Sequence, residues 1–202
     1  MPRARLVGAV LAGGRSTRMD GQTKALISLG GKPMIRHVID RLRPQVDELW
    51  LSVESESPDL AVFDLPQIAD LRPGSQGPLG GLVACLSRLA DPDGWLLLAP
   101  CDAPFVPRRL ASELLACARR KQAPGCLVRY AGEAQPTFSL WHGSLLPRVA
   151  EAVEEQGLRG FKAFLRIQPL PALDWPPGRV SPFMNINDRQ TLLEAERLLD
   201  TG

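Results

Sequence analysis

Two histidines and four cysteines are all the imidazole and thiol groups in this 202-residue chain. None of Cys85, Cys101, Cys117 and Cys126 forms a C-x-x-C pair. That excludes the usual zinc-site spacings and points to four reduced thiols in a reducing compartment. Long apolar runs are missing as well. No stretch approaches the roughly 18 residues of a membrane helix. The run behind the first arginines is about six residues, too short for the core of a secretion signal. Charge of one sign is also lacking: 24 Lys and Arg stand against 22 Asp and Glu, leaving a net charge of +2. So balanced a chain has no general attraction for nucleic acid, and an anionic ligand needs a local basic cluster. There is no internal repeat, no low-complexity segment and no obvious linker. A single domain over residues 1–202 is expected, cytoplasmic, and long enough to bury a core without disulfides or a structural metal.

The sequence does hold an alternation of strand and helix patterns. "LVGAVL" (6–11), "ELWLSV" (48–53) and "WLLLAP" (95–100) are apolar runs of strand length. Helical spacing marks 31–42, 77–90 and 107–120, with Pro33 and Pro78 suited to first turns. "GCLVRYAGEAQPTFSLW" reads as two strands around Gly132, and 144–157 and 161–167 as helices. The Pro- and Gly-rich stretch 169–183 reads as a loop. Asn187 is expected to cap a last helix, with Gln190 returning the bond as in a capping box. Continuous apolar strands alternating with helices predict a Rossmann-like three-layer α/β/α sandwich around a mostly parallel sheet.

In such sheets ligands collect beyond the carboxyl ends of the strands, and three polar clusters follow strands here. The first is "AGGRSTRM" with Lys24 behind it. It has neither the dinucleotide fingerprint G-x-G-x-x-G nor a P-loop, since Lys24 is followed by Ala25. Gly13 and Gly14 nevertheless free the backbone for close approach, their N–H groups can meet phosphate oxygens, and Arg15, Arg18 and Lys24 supply charge. The plainer alternative is a glycine-rich turn with solvated cations. The second cluster, "ADLRPGSQGPLGG", offers Asp70 and a glycine-rich helix start whose N–H groups are free. It suits the donor edge of a purine, or is simply a capped surface helix. In the third, "PCDAPFVP", Asp102 directly follows a buried strand and prolines stiffen the turn. That carboxylate can take Mg²⁺ together with substrate phosphates, cap the next helix, or pair with an arginine.

Taken together, "LAGGRSTRM…K", "GPLGGL", "PCDAPFVP", "PTFSLW" and "NINDRQTL" resemble the molybdenum cofactor guanylyltransferases, a nucleotidyltransferase family, in order and spacing from Leu6 to about Leu199. The resemblance implies transfer of GMP from GTP to the phosphate of molybdenum-bound molybdopterin, with release of pyrophosphate. It implies that Leu11, Ala12, Gly13 and Gly14 bind the nucleotide and that Arg18 and Lys24 hold its phosphates. Asp102 would hold Mg²⁺, or Mn²⁺ in its place. Asp70, Gly77, Pro78 and Leu79 would serve the nucleoside, and Ser52 stands where the family can carry asparagine near the nucleotide. Arg159, Asn185 and Asn187 would lie on the pterin side. Other cofactor-biosynthesis proteins and molybdoenzyme chaperones are the implied partners, with no nucleic acid and no membrane.

The chain departs from the family pattern in three places. Asp20 stands where glycine is usual, Thr23 precedes the lysine where aspartate is usual, and N-D-R-Q replaces N-T-P-E. Cytidylyltransferase relatives tend to read L-A-A-G, so Gly13 is expected to leave room for the larger base. A cytidylyltransferase and a non-catalytic nucleotide-binding module are the competing readings. Sugar-phosphate nucleotidyltransferases usually carry further sugar-binding sequence.

Overall fold

The computed structural model describes residues 4–13, 23–72 and 77–200. In chain order the elements begin with β1 (Leu6–Leu11), the hairpin strands β2 (Ser28–Leu29) and β3 (Lys32–Pro33), α1 (Met34–Leu42), β4 (Glu48–Val53), α2 (Pro58–Ala61), β5 (Gln67–Ala69) and α3 (Gly77–Arg88). They continue with β6 (Trp95–Pro100), α4 (Leu110–Arg120), β7 (Gly125–Tyr130), β8 (Glu133–His142), α5 (Leu146–Glu154), α6 (Phe161–Ile167), β9 (Ala172–Asp174) and α7 (Arg189–Asp200). A seven-stranded sheet has the order β5-β4-β1-β6-β8-β7-β9, and β8 alone runs against its neighbours. The expected mostly parallel sandwich is therefore present.

Strand pleating explains why the central strands read as unbroken apolar runs. Successive side chains point to opposite faces, and here both faces are covered. Leu6, Val10, Leu49, Leu51, Leu97 and Ala99 pack under α1 and α4. Val7, Ala9, Trp50, Leu96, Leu98 and Trp141 pack under α3, α5 and α6. Each such aliphatic side chain contributes about 1.5–3 kcal/mol by leaving water. A third, smaller cluster joins Ile27, Leu29 and Met34 to Ile186 and Ala195. It pins α7 onto the β2–β3 hairpin.

Three local expectations change. Residues 169–183 are not all loop: β9 pairs in parallel with β7, and Arg129 and Asp174 form a two-bond ion pair across it at 2.5 and 2.7 Å. Pro33 closes the β2–β3 hairpin and precedes α1 rather than lying within its first turn. The cap of α7 is Asp188, not Asn187: its Oδ1 accepts from Thr191 N at 2.8 Å. All four cysteines are free and buried.

Candidate functional site

Strand order reverses at β1. The chain moves outward from β1 to β4 and β5, then crosses back to β6 on the other side of β1. The crevice lies beyond the carboxyl ends of β1 and β6, the usual ligand position in such sheets. Cys101 N donates to Leu11 O at 3.1 Å, so the turn carrying Asp102 is tied to the end of β1. The Asp102 carbonyl accepts from Ile186 N at 2.9 Å, which ties it also to the segment before α7. Its carboxylate Oδ2 accepts from Lys24 Nζ, and Lys24 donates a further bond to Asn187 Oδ1 at 2.6 Å. The two charged side chains are 20% and 13% exposed, so water screens the pair only in part. Asp102 Oδ1 and Asn185 Oδ1 are buried and have no hydrogen-bond partner among the described residues. A buried acceptor left so costs about 1–3 kcal/mol, which marks both oxygens as places for a ligand. Of the alternatives open for Asp102, the ion pair is realised, with lysine rather than arginine, and one oxygen remains unused.

Lys24 is held here by its neighbours in sequence. Residues Lys24–Leu26 form a 3-10 turn closed by Leu26 N to Thr23 O at 2.8 Å. Buried Ala25 and Ile27 anchor that turn to the core. Because Ile27 and Ile186 share one cluster, the segments carrying Lys24 and Asn187 are packed together.

Beside this cluster is a cleft of about 180 Å³ lined by Leu11, Gly13, Ser52, Glu54, Asp70, Gly77, Pro78 and Gly81. Strand ends supply one wall and the start of α3 the other. Asp70 N donates to Val53 O at 3.1 Å, fixing that carboxylate at the edge of β4. Gly81 has no side chain where a Cβ would come within 2.5 Å of Ser52 Oγ and 3.6 Å of Asp70 Oδ1. Its absence lets α3 approach β4 and keeps both polar groups at the cleft. Gly77 has φ +65°, and a Cβ there would lie 2.6 Å from Arg159 O.

Several expected site residues take a different part from the one foreseen. The amides of Ala12 and Gly13 are already used, donating to Ser52 O at 2.8 and 3.0 Å. They extend β1 against β4, so in this structure their hydrogens point at Ser52 O. A Cβ on Gly13 would press on Glu54 N at 3.2 Å, so the missing methyl serves the close pairing of backbones at the edge of the cleft that Gly13 also lines. Leu79 is fully buried in the core beneath α3, and its N–H donates to Arg159 O at 3.2 Å. Arg159 packs its backbone on the α3 start and turns its guanidinium to Val153 O at 3.3 Å, whereas Asn187 sits with Lys24 and Asp102. Gly14, Arg15, Arg18 and Asp20 lie outside the described residues. Burial pushes the Cys101 thiol up to about 12, helped by the Asp102 charge. Burial likewise pushes Cys85 up to about 12 against a bond with Ser52. Neither thiol is a nucleophile at neutral pH.

The family model of the MobA-like NTP transferase domain matches residues 8–170. The chain belongs to the MobA-like NTP transferase family. A protein of Rhodopseudomonas palustris (strain HaA2) named molybdenum cofactor guanylyltransferase is 37% identical over 192 residues, covering 94% of this chain and 90% of the relative. One of the same name from Nitrobacter hamburgensis is 34% identical over 200 residues, covering 96% of each chain. The solved structure of molybdopterin-guanine dinucleotide biosynthesis protein A from Archaeoglobus fulgidus shares the fold with a TM-score of 0.79, at 22% identity over 97% of this chain and 100% of that one.

In this MobA-like nucleotidyltransferase, the residues that sequence reading passed over are Glu54, Asp188 and Thr191. Glu54 stands one residue past the end of β4, and Ser52 in the same run was the available signal. Asp188 and Thr191 are visible in sequence as a cap motif, one step later than the one chosen.

Proposed function

We propose that the chain transfers GMP from GTP to the phosphate of molybdenum-bound molybdopterin. An acceptor phosphate oxygen forms a bond to the α-phosphorus of GTP. The bond from that phosphorus to the oxygen bridging toward the β-phosphate breaks, and pyrophosphate leaves with the bonding pair. The nucleophile is already an anion, so no strong general base is needed. The barrier is charge repulsion and alignment, and catalysis is positioning with charge neutralisation.

The observation that carries the reading is Asp102 at the crevice between β1 and β6, with Lys24 on one carboxylate oxygen and the other buried and, among the described residues, unpartnered. That orphaned oxygen fits a hard cation, because Mg²⁺ is commonly bound by one or two carboxylates plus substrate phosphates. Among the described residues no cluster of three or more His, Cys, Asp or Glu forms, so such a cation would take its remaining ligands from phosphates and water. When bound, Mg²⁺ or Mn²⁺ would neutralise charge at the α-phosphate and on the departing pyrophosphate. Lys24, held by Asp102 and Asn187, would meet phosphate oxygens, a role the family resemblance gives to Arg18 as well. Ser52, Asp70 and the α3 start would take the nucleoside in the neighbouring cleft. Asn185 and Asn187 would face the acceptor. Among the described residues no helix is long and apolar enough to cross a membrane. We place the enzyme in the cytoplasm, passing its product to chaperones of molybdoenzymes.

The test is incubation with each nucleoside triphosphate, Mg²⁺ and molybdenum-loaded pterin, followed by mass analysis. A product heavier by GMP, with one pyrophosphate per turnover, is expected. A CMP adduct would make the chain a cytidylyltransferase. Tight GTP binding with no transfer would make it a nucleotide-binding module.

A further inference from the structure

We propose that Asp188 is a positioning residue for Lys24, acting through Asn187 to keep the ammonium aimed at the nucleotide phosphates. The inference rests on the role given to Lys24 above. Residues 187 and 188 are both types that cap helices strongly, and only one of them can cap α7 at a time. Asp188 does so: its Oδ1 accepts from Thr191 N at 2.8 Å and from Thr191 Oγ1 at 2.9 Å. Thr191 Oγ1 in return accepts from Asn187 N at 3.1 Å and Asp188 N at 3.2 Å. The backbone on both sides of Asn187 is thereby fixed. Its carboxamide is spared for Lys24 at 2.6 Å, while Nδ2 leans on Asn185 O at 3.5 Å.

Removing the Asp188 carboxylate does more than loosen the helix start. It offers the Asn187 side chain a rival task, since Asn is itself a preferred cap and would bond backbone N–H groups one residue earlier. Lys24 would then lose one of its two partners. The Thr191 amide, with lesser help from Lys24, holds the Asp188 carboxyl below its ordinary range, so it is ionised at neutral pH.

The experiment is titration calorimetry of GTP and CTP into the full chain, well below its unfolding temperature. For Asp188→Ala, binding of either nucleotide should weaken by about 3- to 30-fold, the range of a lost cap. In an Asn187→Ala background the same change should cost less than about 2-fold, because the residue it acts through is gone. Asp188→Asn, which can still cap, should recover most of the binding. Equal losses in both backgrounds, or unchanged binding by folded Asp188→Ala, would overturn the proposal. Should Asp188→Ala not fold, Thr191→Val removes the hydroxyl side of the same network and is expected to weaken binding in the wild-type background only. A wild-type protein that prefers CTP would overturn the guanylyl reading and leave the Asp188 comparison intact, since it is read as the same fold-change for both nucleotides.

Discussion

Replacing Lys24 by methionine tests the ion pair and the phosphate role together. The substitution keeps most of the stem volume and removes the ammonium from Asp102 and Asn187. Two unit charges about 4 Å apart attract by about 4 kcal/mol at an effective dielectric of about 20. Desolvation offsets part of that, and the pair is neither fully buried nor free in water, at 20% and 13% exposure. A stability loss of about 1–3 kcal/mol is expected, because the Asp102 carboxylate would lose the ammonium that bonds its Oδ2. Urea unfolding measures it. Adding Asp102→Asn removes the stranded charge, so the double variant should be more stable than the sum of the two single losses predicts, by about 0.5–3 kcal/mol. Turnover should behave differently: Lys24→Met should lose about 10²–10³-fold in kcat, and the double variant should recover none of it. GTP and ATP should weaken alike in Lys24→Met, since a point charge reads phosphate and not base. Additive stability losses would show that the two groups do not stabilise one another. A large change in the GTP-to-ATP ratio would show that Lys24 contacts the base.

Three further outcomes are expected. Asp102→Asn should stay folded by circular dichroism and lose about 10²–10⁴-fold in turnover, as a carboxylate that clamps a metal against phosphate contributes several kcal/mol to the transition state; near-normal turnover at limiting Mg²⁺ would remove that role. Gly81→Ala places a methyl within 2.5 Å of Ser52 Oγ and should lower stability and raise KM for GTP through an overpacking cost of about 1–3 kcal/mol; Ser52→Ala in the same chain should relieve the clash and restore the urea midpoint, and a midpoint as low as that of Gly81→Ala alone would show that the strain lies elsewhere. The Cys85 and Cys101 thiols, pushed from the ordinary 9.0 to about 12, should resist labelling by thiol reagents at pH 8 until the chain is unfolded. Because their folded values are raised, the unfolded chain releases these protons first, so stability is unaffected by them below pH 9 and falls as pH rises from 9 toward 12; urea midpoints at pH 8 and pH 10 check the sign.

How far the sequence carries depends on how local each determinant is. The bounds of β1, β4 and β6 are readable to the residue because buried strands of a covered sheet must be apolar on both faces. The three-residue β9 is not, since proline and glycine around it signal a loop and its support is non-local: pairing with β7, the Arg129–Asp174 bridge and the packing of Leu173 on the core. Both Asn187 and Asp188 satisfy the local rule for a cap, and what sets them apart is a tertiary contact invisible in the local sequence, the bond from Lys24, 163 residues away, to Asn187. The Gly13 amide illustrates the same limit. A glycine-rich strand end looks open for phosphate, yet Ser52 O from the adjacent strand already accepts its hydrogen. Residue types at the site were legible, whereas the assignment of individual donors and acceptors required the tertiary neighbours.

The small cluster of Ile27, Leu29, Met34, Ile186 and Ala195 also sets an order of assembly during synthesis. By the time residue 100 has emerged, a growing chain has made β1, β4, β5 and β6, while β8 and the helices α4, α5 and α6 that flank and cover them are still to come. At that stage Lys24 has been made, but Ile186 and Asn187 do not yet exist. The hairpin carrying β2 and β3 then lacks half of its apolar cover, and the ammonium lacks its second partner. The corner that holds Lys24 is thus completed only when residue 187 has been made, and a nascent chain that already carries β1, β4, β5 and β6 does not hold Lys24 as the full chain does.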